Sequence, residues 1–416
     1  MDRDLVLLFL IINLGVAIFY YLNRGVEIPL FLALFNVINE YRIYSLELGL
    51  AKFVSFDYKV DLEFSMELAY LMSDYIFLGS TILMYAFILF YKPVRKKTAD
   101  TDDYLKDFVL QNKNYILMGL GLFSLLQLLI RGGDTGSYGF MVKLANSSFI
   151  LLFFLIYHYT DTKKMGIRMV YLSVGIVLAF ITYSPSMRFQ FLGWIIPLGY
   201  FLVRNISKQA KLIWGGVGLF VLLVVFSAAG VMRYESNLSY DDLYEESVDR
   251  LEASDDVNFI DGFMIMYQIY PQYLDHTYGM EHLNVLLRPI PRGLWPGKPL
   301  AGWFQNYREK YGVEFADVGI SPTIWGVFYA EAGEFGIVLF SVLWGGGLAW
   351  LYRKFQIFKS DLSFILIGIL LACLIPVFRS GDLPGDIAIV LMSFWPMIVF
   401  VNKYKKYVEK RLRYES

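Results

Sequence analysis

The sequence contains few of the residues that build disulfide-bonded or metal-bound folds. Among 416 residues there are one cysteine, Cys373, and three histidines. A single thiol excludes a disulfide framework and a cysteine-based zinc site. The net charge of −1 leaves no basic excess for binding nucleic acid. No Gly-x4-Gly-Lys-Ser/Thr segment occurs, so we expect no nucleotide-binding P-loop. The composition therefore indicates no cofactor and no nucleic-acid partner.

The sequence is rich in apolar residues. They make up 57% of the chain, 18% of the chain is aromatic, and the mean hydropathy is +0.49, whereas soluble domains are about 45–50% apolar. A helix needs roughly 20 apolar residues to cross a bilayer. We predict about eleven such spans and hence an all-α, polytopic membrane helix bundle. The predicted spans are 4–22, 26–44, 66–91, 114–131, 138–160, 167–184, 188–204, 211–231, 321–351, 361–378 and 386–402.

The first two predicted spans differ from the others. The second, 26–44, is the weakest, because Asn36, Asn39, Glu40 and Arg42 make its far half polar. The first lacks the basic flank and small-residue cleavage site of a signal peptide, so we expect it to be a retained helix.

Charge sets the predicted orientation. Most of the 37 lysines and arginines lie in the loops on one side and in the C-terminal tail, and such an excess marks the cytoplasmic side. We expect the N-terminus outside and the C-terminus inside. Residues 1–231 then hold spans one to eight, and residues 321–416 hold spans nine to eleven and a basic cytoplasmic tail. Residues 232–320 form a large extracytoplasmic (periplasmic) loop.

The extracytoplasmic loop has three predicted parts. In its acidic beginning, 239–256, apolar residues including Leu243 and Leu251 recur at helical spacing, which predicts an amphipathic surface helix. The apolar run 259–267 is too short to span, so we expect it at the membrane interface or re-entering the membrane. A stretch rich in proline, glycine and aromatic residues follows at 286–303.

A set of cations on the outer side opposes the usual charge bias, and we expect it to bind an anion such as a lipid-linked diphosphate. Guanidinium groups pair with phosphate in a defined, bidentate geometry. An arginine at a helix end also extends to the membrane interface simply to keep its charge hydrated. This alternative explanation applies to every cation of the set. The set comprises Arg131, Arg188, Arg233, Arg288, Arg292, Lys298 and Arg379.

Three of these cations lie in one proline-rich segment, which reads Arg288-Pro-Ile-Pro-Arg292-Gly-Leu-Trp295-Pro-Gly-Lys298-Pro299. Four prolines fix the backbone and prevent helix formation. A stiff frame of this kind loses little entropy when it binds a ligand. We expect Trp295 here, and the nearby Trp303, to stack on sugar rings.

This segment resembles one in the large periplasmic loop of the bacterial oligosaccharide repeat-unit polymerases (the Wzy, or O-antigen polymerase, family). Three other stretches are also similar to that family: Ser184 to Arg188, Thr323 to Gly336 and Arg379 to Asp382. The resemblance implies a GT-C-like, metal-independent membrane glycosyltransferase at the outer face of the bacterial plasma membrane. Its substrates would be a donor glycan on polyprenyl (undecaprenyl) diphosphate and a lipid-linked acceptor, and a chain-length regulator protein would be a partner.

Glycosyl transfer to a hydroxyl requires a base. His276 and His282 flank a short turn in the extracytoplasmic loop, and Glu331 and Glu334 begin the ninth span, so these four are the catalytic candidates. Asp261 is a weaker one. The alternative for either histidine is that it is an exposed polar residue of the loop with no catalytic role. An O-antigen-ligase-type enzyme and a flippase or transporter for lipid-linked oligosaccharide remain as alternative functions.

Overall fold

The computed structural model describes residues 3–53, 62–94, 102–130, 136–161, 163, 165–182, 188–234, 240–252, 258–288, 295, 297, 307, 310, 321–358 and 360–415. All regular secondary structure in these residues is helical, as the sequence predicts. The helices are α1 (Arg3–Arg24), α2 (Ile28–Glu47), α3 (Met66–Phe90), α4 (Asp102–Gln111), α5 (Lys113–Ile130), α6 (Gly136–Tyr159), α7 (Met165–Thr182), α8 (Arg188–Leu202), α9 (Lys208–Tyr234), α10 (Tyr240–Glu252), α11 (Phe259–Ile269), α12 (Met280–Leu287), α13 (Thr323–Gln356), α14 (Asp361–Ser380) and α15 (Leu383–Glu415).

Six of the described helices are long and apolar enough to cross a membrane: α1, α3, α9, α13, α14 and α15. Large apolar side chains on the bundle are widely exposed; for example, Phe19 is 70%, Leu89 75% and Leu129 72% exposed. Exposure of so many large apolar side chains is unusual for a soluble monomer and indicates lipid-facing surface. The membrane character predicted from composition is therefore supported, with six helices meeting the requirements of a span where about eleven were expected.

The chain divides into two units. The first contains Met1–Lys92, Ile206–Leu351 and Leu374–Ala388, and the second contains Pro93–Asn205, Tyr352–Cys373 and Ile389–Ser416. The second unit has a large apolar core that includes Leu155, Ile365 and Phe400. It also holds His158, whose Nε2 lies 3.2 Å from a carboxylate oxygen of Asp361.

In the first unit, the polar half of α2 is buried against its neighbours. Asn39 donates to the hydroxyl of Ser73 (2.7 Å), and that hydroxyl donates to Glu40 (2.7 Å). Arg42 is fully buried and forms an ion pair with Asp261 at 2.5 Å. The residues that weaken the apolar pattern of this span are thus paired inside the protein, where buried charges need partners.

Three short helices are described within residues 232–320: α10, α11 and α12. The predicted amphipathic helix is α10, and its Ser247 carbonyl accepts a hydrogen bond from Ser227 of α9 (2.7 Å). The apolar run expected at the interface or re-entering the membrane is α11, and its residues from Phe259 to Met266 are all buried inside the protein. A Cβ at Gly262 would lie 2.6 Å from the carbonyl carbon of Ser321. The small residue lets α11 pack directly against the chain that enters α13.

Candidate functional site

The site is organised around a break in α13. Ala332 (φ −157°, ψ 31°) and Gly333 (φ 61°, ψ −147°) leave the helical conformation. The conformation of Gly333 is open essentially only to glycine. The ninth predicted span, 321–351, is therefore apolar and long enough to cross a membrane, but it is not one uninterrupted helix. Glu331 and Glu334, expected in the first turns of a single helix, lie on either side of the break.

The segment before the break folds back along the segment after it. The rings of Phe328 and Trp344 are 6.3 Å apart, although sixteen residues of straight helix would separate them by roughly 24 Å. Gly336 makes this approach feasible, because a Cβ there would lie 2.0 Å from the carbonyl oxygen of Phe328. The two glycines, 333 and 336, thus produce a helical hairpin with Glu331 and Glu334 at its tip.

The loop before α12 supplies hydrogen bonds to the backbone at the break. The amide of Thr277 donates to the carbonyl of Ala330 (3.0 Å), and the amide of Tyr278 donates to the carbonyl of Glu331 (2.9 Å). A helix that ends leaves its last carbonyls without helical partners. This loop satisfies two of them and so fixes the position of its own His276 above the break.

The geometry of His276 sets its tautomer. Its Nδ1 lies 3.1 Å from the carbonyl oxygen of Ala330, which can only accept, so Nδ1 carries the proton. Nε2 then carries a lone pair, and among the described residues it has no hydrogen-bond partner. The half-buried ring stacks on Tyr270 (6.3 Å, 14°). Burial, followed by the charge of Glu281, raises the pKa of Tyr270 well above its usual value.

His282 is bonded at both ring nitrogens. The indole N–H of Trp344 donates to Nε2 (2.9 Å), and indole is a donor only, so Nε2 is unprotonated. Nδ1 therefore carries the proton and donates it to Glu331 (2.7 Å), which also accepts the backbone N–H of His282 (3.2 Å). Glu331 is fully buried.

Glu334, on the other side of the break, is exposed and accepts a hydrogen bond from the hydroxyl of Tyr75 on α3. The Tyr75 ring belongs to a group of aromatic residues with Tyr267 (6.3 Å) and Tyr329 (6.4 Å). All three rings therefore lie beside the tip of the helical hairpin. A carboxylate next to several tyrosines combines an acceptor of hydrogen bonds with apolar ring faces.

Two of the predicted cations are described with their side chains. Arg288, at the end of α12, is exposed and lies near Asp382 in the turn between α14 and α15. Desolvation by the surrounding protein raises the pKa of Asp382, although part of this residue faces solvent, and the Gly385 amide and Arg288 oppose that effect. Arg379 lies near Asp386. Both arginines are thus close to carboxylates of the same turn.

The turn itself packs on the entrance to α13. A Cβ at Gly381 (φ 72°) would lie 2.6 Å from Cγ of Pro322 and 2.8 Å from the carbonyl of Thr323. Asp382 accepts a hydrogen bond from the amide of Gly385 (3.2 Å), which caps the start of α15. The contact holds the turn that carries Arg379 against the hairpin segment that carries Glu331.

Several predicted residues lie outside the described structure. Arg188 begins α8 and Arg233 is in the last turn of α9, but only their backbones are described. Trp295 is described and is 39% exposed. The predictions for the remaining residues fall on undescribed positions: Arg131, Arg292, Lys298 and Trp303.

Three residues that contact the predicted ones were not predicted. Trp344 and Tyr75 lie within predicted apolar spans, and Arg42 only weakens the apolar pattern of its span. The available signal was polarity inside a span, because an ionisable residue there usually marks a functional site. Among the described residues, no group of three or more His, Cys, Asp or Glu side chains is arranged to hold a metal ion.

In comparisons with known proteins, no family model, no curated protein and no solved structure matches the chain.

Proposed function

We propose that this chain is a membrane glycosyltransferase that polymerises oligosaccharide repeat units. It transfers a growing glycan from a polyprenyl diphosphate carrier to a lipid-linked repeat unit at the outer face of a bacterial plasma membrane. In this proposal the bundle is GT-C-like and has about eleven spans, with the N-terminus outside and the C-terminus in the cytoplasm. The resemblance of four sequence stretches to the repeat-unit polymerases supports it.

The observation that carries the proposal is the state of His276. Its Nδ1–H is held by a backbone carbonyl at a helix break, and its Nε2 lone pair has no partner among the described residues. A histidine oriented in this way through one nitrogen is arranged to accept a proton at the other. His282, the other candidate, has both nitrogens occupied. We therefore assign the base to His276 and a positioning role to His282.

The chemistry follows from these assignments. The acceptor hydroxyl gives its proton to Nε2 of His276 as its oxygen forms a bond to the anomeric carbon of the donor. The bond from that carbon to the diphosphate oxygen breaks, and the diphosphate leaves with the electron pair. Arg288 and Arg379, joined by Arg292 and Lys298, stabilise this negative charge. The cations supply the electrostatic stabilisation, so the reaction as proposed is metal-independent.

The carboxylates beside the two described arginines have a function in this scheme. Asp382 near Arg288 and Asp386 near Arg379 orient the guanidinium groups before the substrate arrives. A preorganised donor costs no reorganisation when charge develops on the leaving group.

The proposal is tested with His276→Gln in cells that lack the native chain, with surface glycan separated on a gel. We expect single repeat units and no long polymer, at normal protein level in the membrane. His158→Gln is the control, because His158 belongs to the second unit, and it should support normal polymer length. Normal polymer from His276→Gln would contradict the assignment of the base.

The broken helix favours one other function. Transporters bind substrates at discontinuous helices within the membrane, and α13 is discontinuous at Ala332 and Gly333. A flippase for lipid-linked oligosaccharide is therefore the second candidate. Deletion would then remove all repeat units from the outer surface instead of leaving single units there. An O-antigen-ligase-type enzyme would leave intact polymer on the lipid carrier.

A further inference from the structure

One group of residues at the hairpin tip has no role in the reaction described above. The exposed carboxylate of Glu334 is held by the hydroxyl of Tyr75. Tyr267 and Tyr329 lie beside it, with ring centres 5.1 Å apart. Tyr75 and Tyr267 are only half-buried, so part of each side chain is accessible. The group therefore presents hydrogen-bond acceptors and aromatic surface at one place.

This group lies next to the free nitrogen of His276. The ring of His276 is 6.0 Å from the ring of Tyr329. Residue 333, which precedes Glu334, is a glycine, and a Cβ there would lie 3.7 Å from Nε2 of His276. The missing side chain leaves space directly beside the nitrogen that carries the lone pair. A molecule bound at Glu334 would thus have an atom within reach of that nitrogen.

We propose that Glu334, Tyr75 and Tyr267 bind the sugar ring of the acceptor whose hydroxyl is activated by His276. This proposal rests on the proposed function and names the acceptor subsite within it. An ionised carboxylate only accepts hydrogen bonds and can take two at once, which fits neighbouring hydroxyls of one pyranose ring. The negative faces of aromatic rings attract the C–H groups of its apolar side.

The charge of the subsite limits the class of sugar. Among the described residues no cation forms an ion pair with Glu334. A second carboxylate on the bound ring would meet Glu334 at close range, and like charges at that distance repel. The acceptor sugar is therefore neutral or carries an amino group, and it is not a uronic acid.

The kinetic test uses membranes that contain the full chain and, as acceptor, the lipid-linked repeat unit isolated from the deletion strain. Glu334→Gln keeps the size of the side chain and a partner for Tyr75 but removes the charge. We expect the KM for the acceptor to rise about tenfold, as loss of one charge-assisted hydrogen bond implies, with kcat changed less than about twofold. Tyr267→Leu should raise the same KM, and neither variant should change the KM for the donor.

Two control variants separate this effect from general damage. Glu67→Gln alters an exposed carboxylate on α3, and Tyr244→Leu alters a tyrosine on α10 that is 71% exposed. Both should keep the wild-type KM for the acceptor. If Glu334→Gln and Tyr267→Leu also keep it while the wild-type chain is active, the subsite is wrong and the proposed function stands. If the wild-type membranes transfer no sugar, the proposed function and the subsite both fall.

The sugar class has its own measurement. Mass spectrometry of the repeat unit that accumulates in the deletion strain identifies the sugar at its non-reducing end. A neutral or amino sugar agrees with the subsite, and a uronic acid there would overturn it.

Discussion

Trp344 donates its indole N–H to Nε2 of His282 across 2.9 Å, and this bond sets the tautomer of His282, whose Nδ1 faces Glu331. The imidazole also stacks on Phe340, with ring centres 4.4 Å apart. Every polar atom of the His282 ring is thus engaged, and the ring is held between aromatic neighbours. The bond joins the segment after the break in α13 to helix α12 and to the segment before the break.

Trp344→Phe should therefore lower the free energy of unfolding by about 1–2 kcal/mol. The estimate combines one hydrogen bond, about 1 kcal/mol, with the smaller buried ring. The measurement is thermal unfolding in detergent. Trp350→Phe is the matched control, since Trp350 lies on the same helix and is 62% exposed, and it should have little effect. Equal losses in both variants would show that the bond to His282 contributes nothing.

Arg42 and Asp261 make a second testable pair, because both side chains are almost completely buried. Breaking such a pair on one side leaves a buried charge without its partner and costs about 3–5 kcal/mol, whereas replacing both with apolar residues is often close to neutral. We expect Arg42→Met to be strongly destabilising and Arg42→Met with Asp261→Leu to regain most of the loss. Unfolding in detergent measures both.

The control for this pair is Arg353→Met, which removes an exposed arginine at the far end of α13. It should change stability by less than about 0.5 kcal/mol. A double variant as unstable as Arg42→Met would mean that the pair contributes through bonds to other groups, such as the carbonyl of Lys52 that Arg42 contacts at 2.9 Å.

These pairs also show what could be predicted from the sequence. Helicity and membrane character follow from composition and run length, and His276, His282, Glu331 and Glu334 were recognised as candidates from their places around the outer segment. Their arrangement was not predictable. His282 pairs with a tryptophan 62 residues away and Arg42 with an aspartate 219 residues away. A single sequence shows which residues are polar, but it does not show their partners.

The break in α13 was missed for a different reason. Hydropathy depends on side chains, and the run from 321 to 351 is apolar on average despite Glu331 and Glu334 beside the break. The deviation arises in the backbone of Gly333, and a glycine within a helical pattern also occurs without any break. The polar half of α2 is the converse case, because Asn39, Glu40 and Arg42 weaken the apolar pattern of the span although all three are buried inside the protein.

Gly333→Ala tests the break directly. An alanine at φ 61° and ψ −147° is strained by about 1–3 kcal/mol, so we expect a lower melting temperature and, because the chain around His276 must shift, shorter surface glycan. Gly347→Ala on the same helix is the control. A Cβ there meets no atom within 4 Å, and alanine in a regular helix gains about 0.5–1 kcal/mol. The two variants should therefore shift stability in opposite directions, and a gain in both would contradict the break.

Tyr270 provides a prediction about pH. Its side chain is 1% exposed, and its hydroxyl has no hydrogen-bond partner among the described residues. Burial, followed by the charge of Glu281, raises its pKa in the folded chain, while in the unfolded chain the pKa stays near 10. Below about pH 10 the hydroxyl is protonated in both states. As the pH rises above that value the unfolded chain ionises first, so the folded state loses stability.

Tyr270→Phe removes this ionisation together with a buried polar group. We expect the variant to unfold at the same temperature as the wild type or higher at pH 8. Its advantage should grow by up to about 1.4 kcal/mol per pH unit between roughly pH 10 and 11. Melting curves in detergent at several pH values measure the difference. Tyr278→Phe, at a residue that is 79% exposed, should follow the wild type throughout. A constant difference between Tyr270→Phe and the wild type across this range would show that Tyr270 ionises as freely in the folded chain as in the unfolded one.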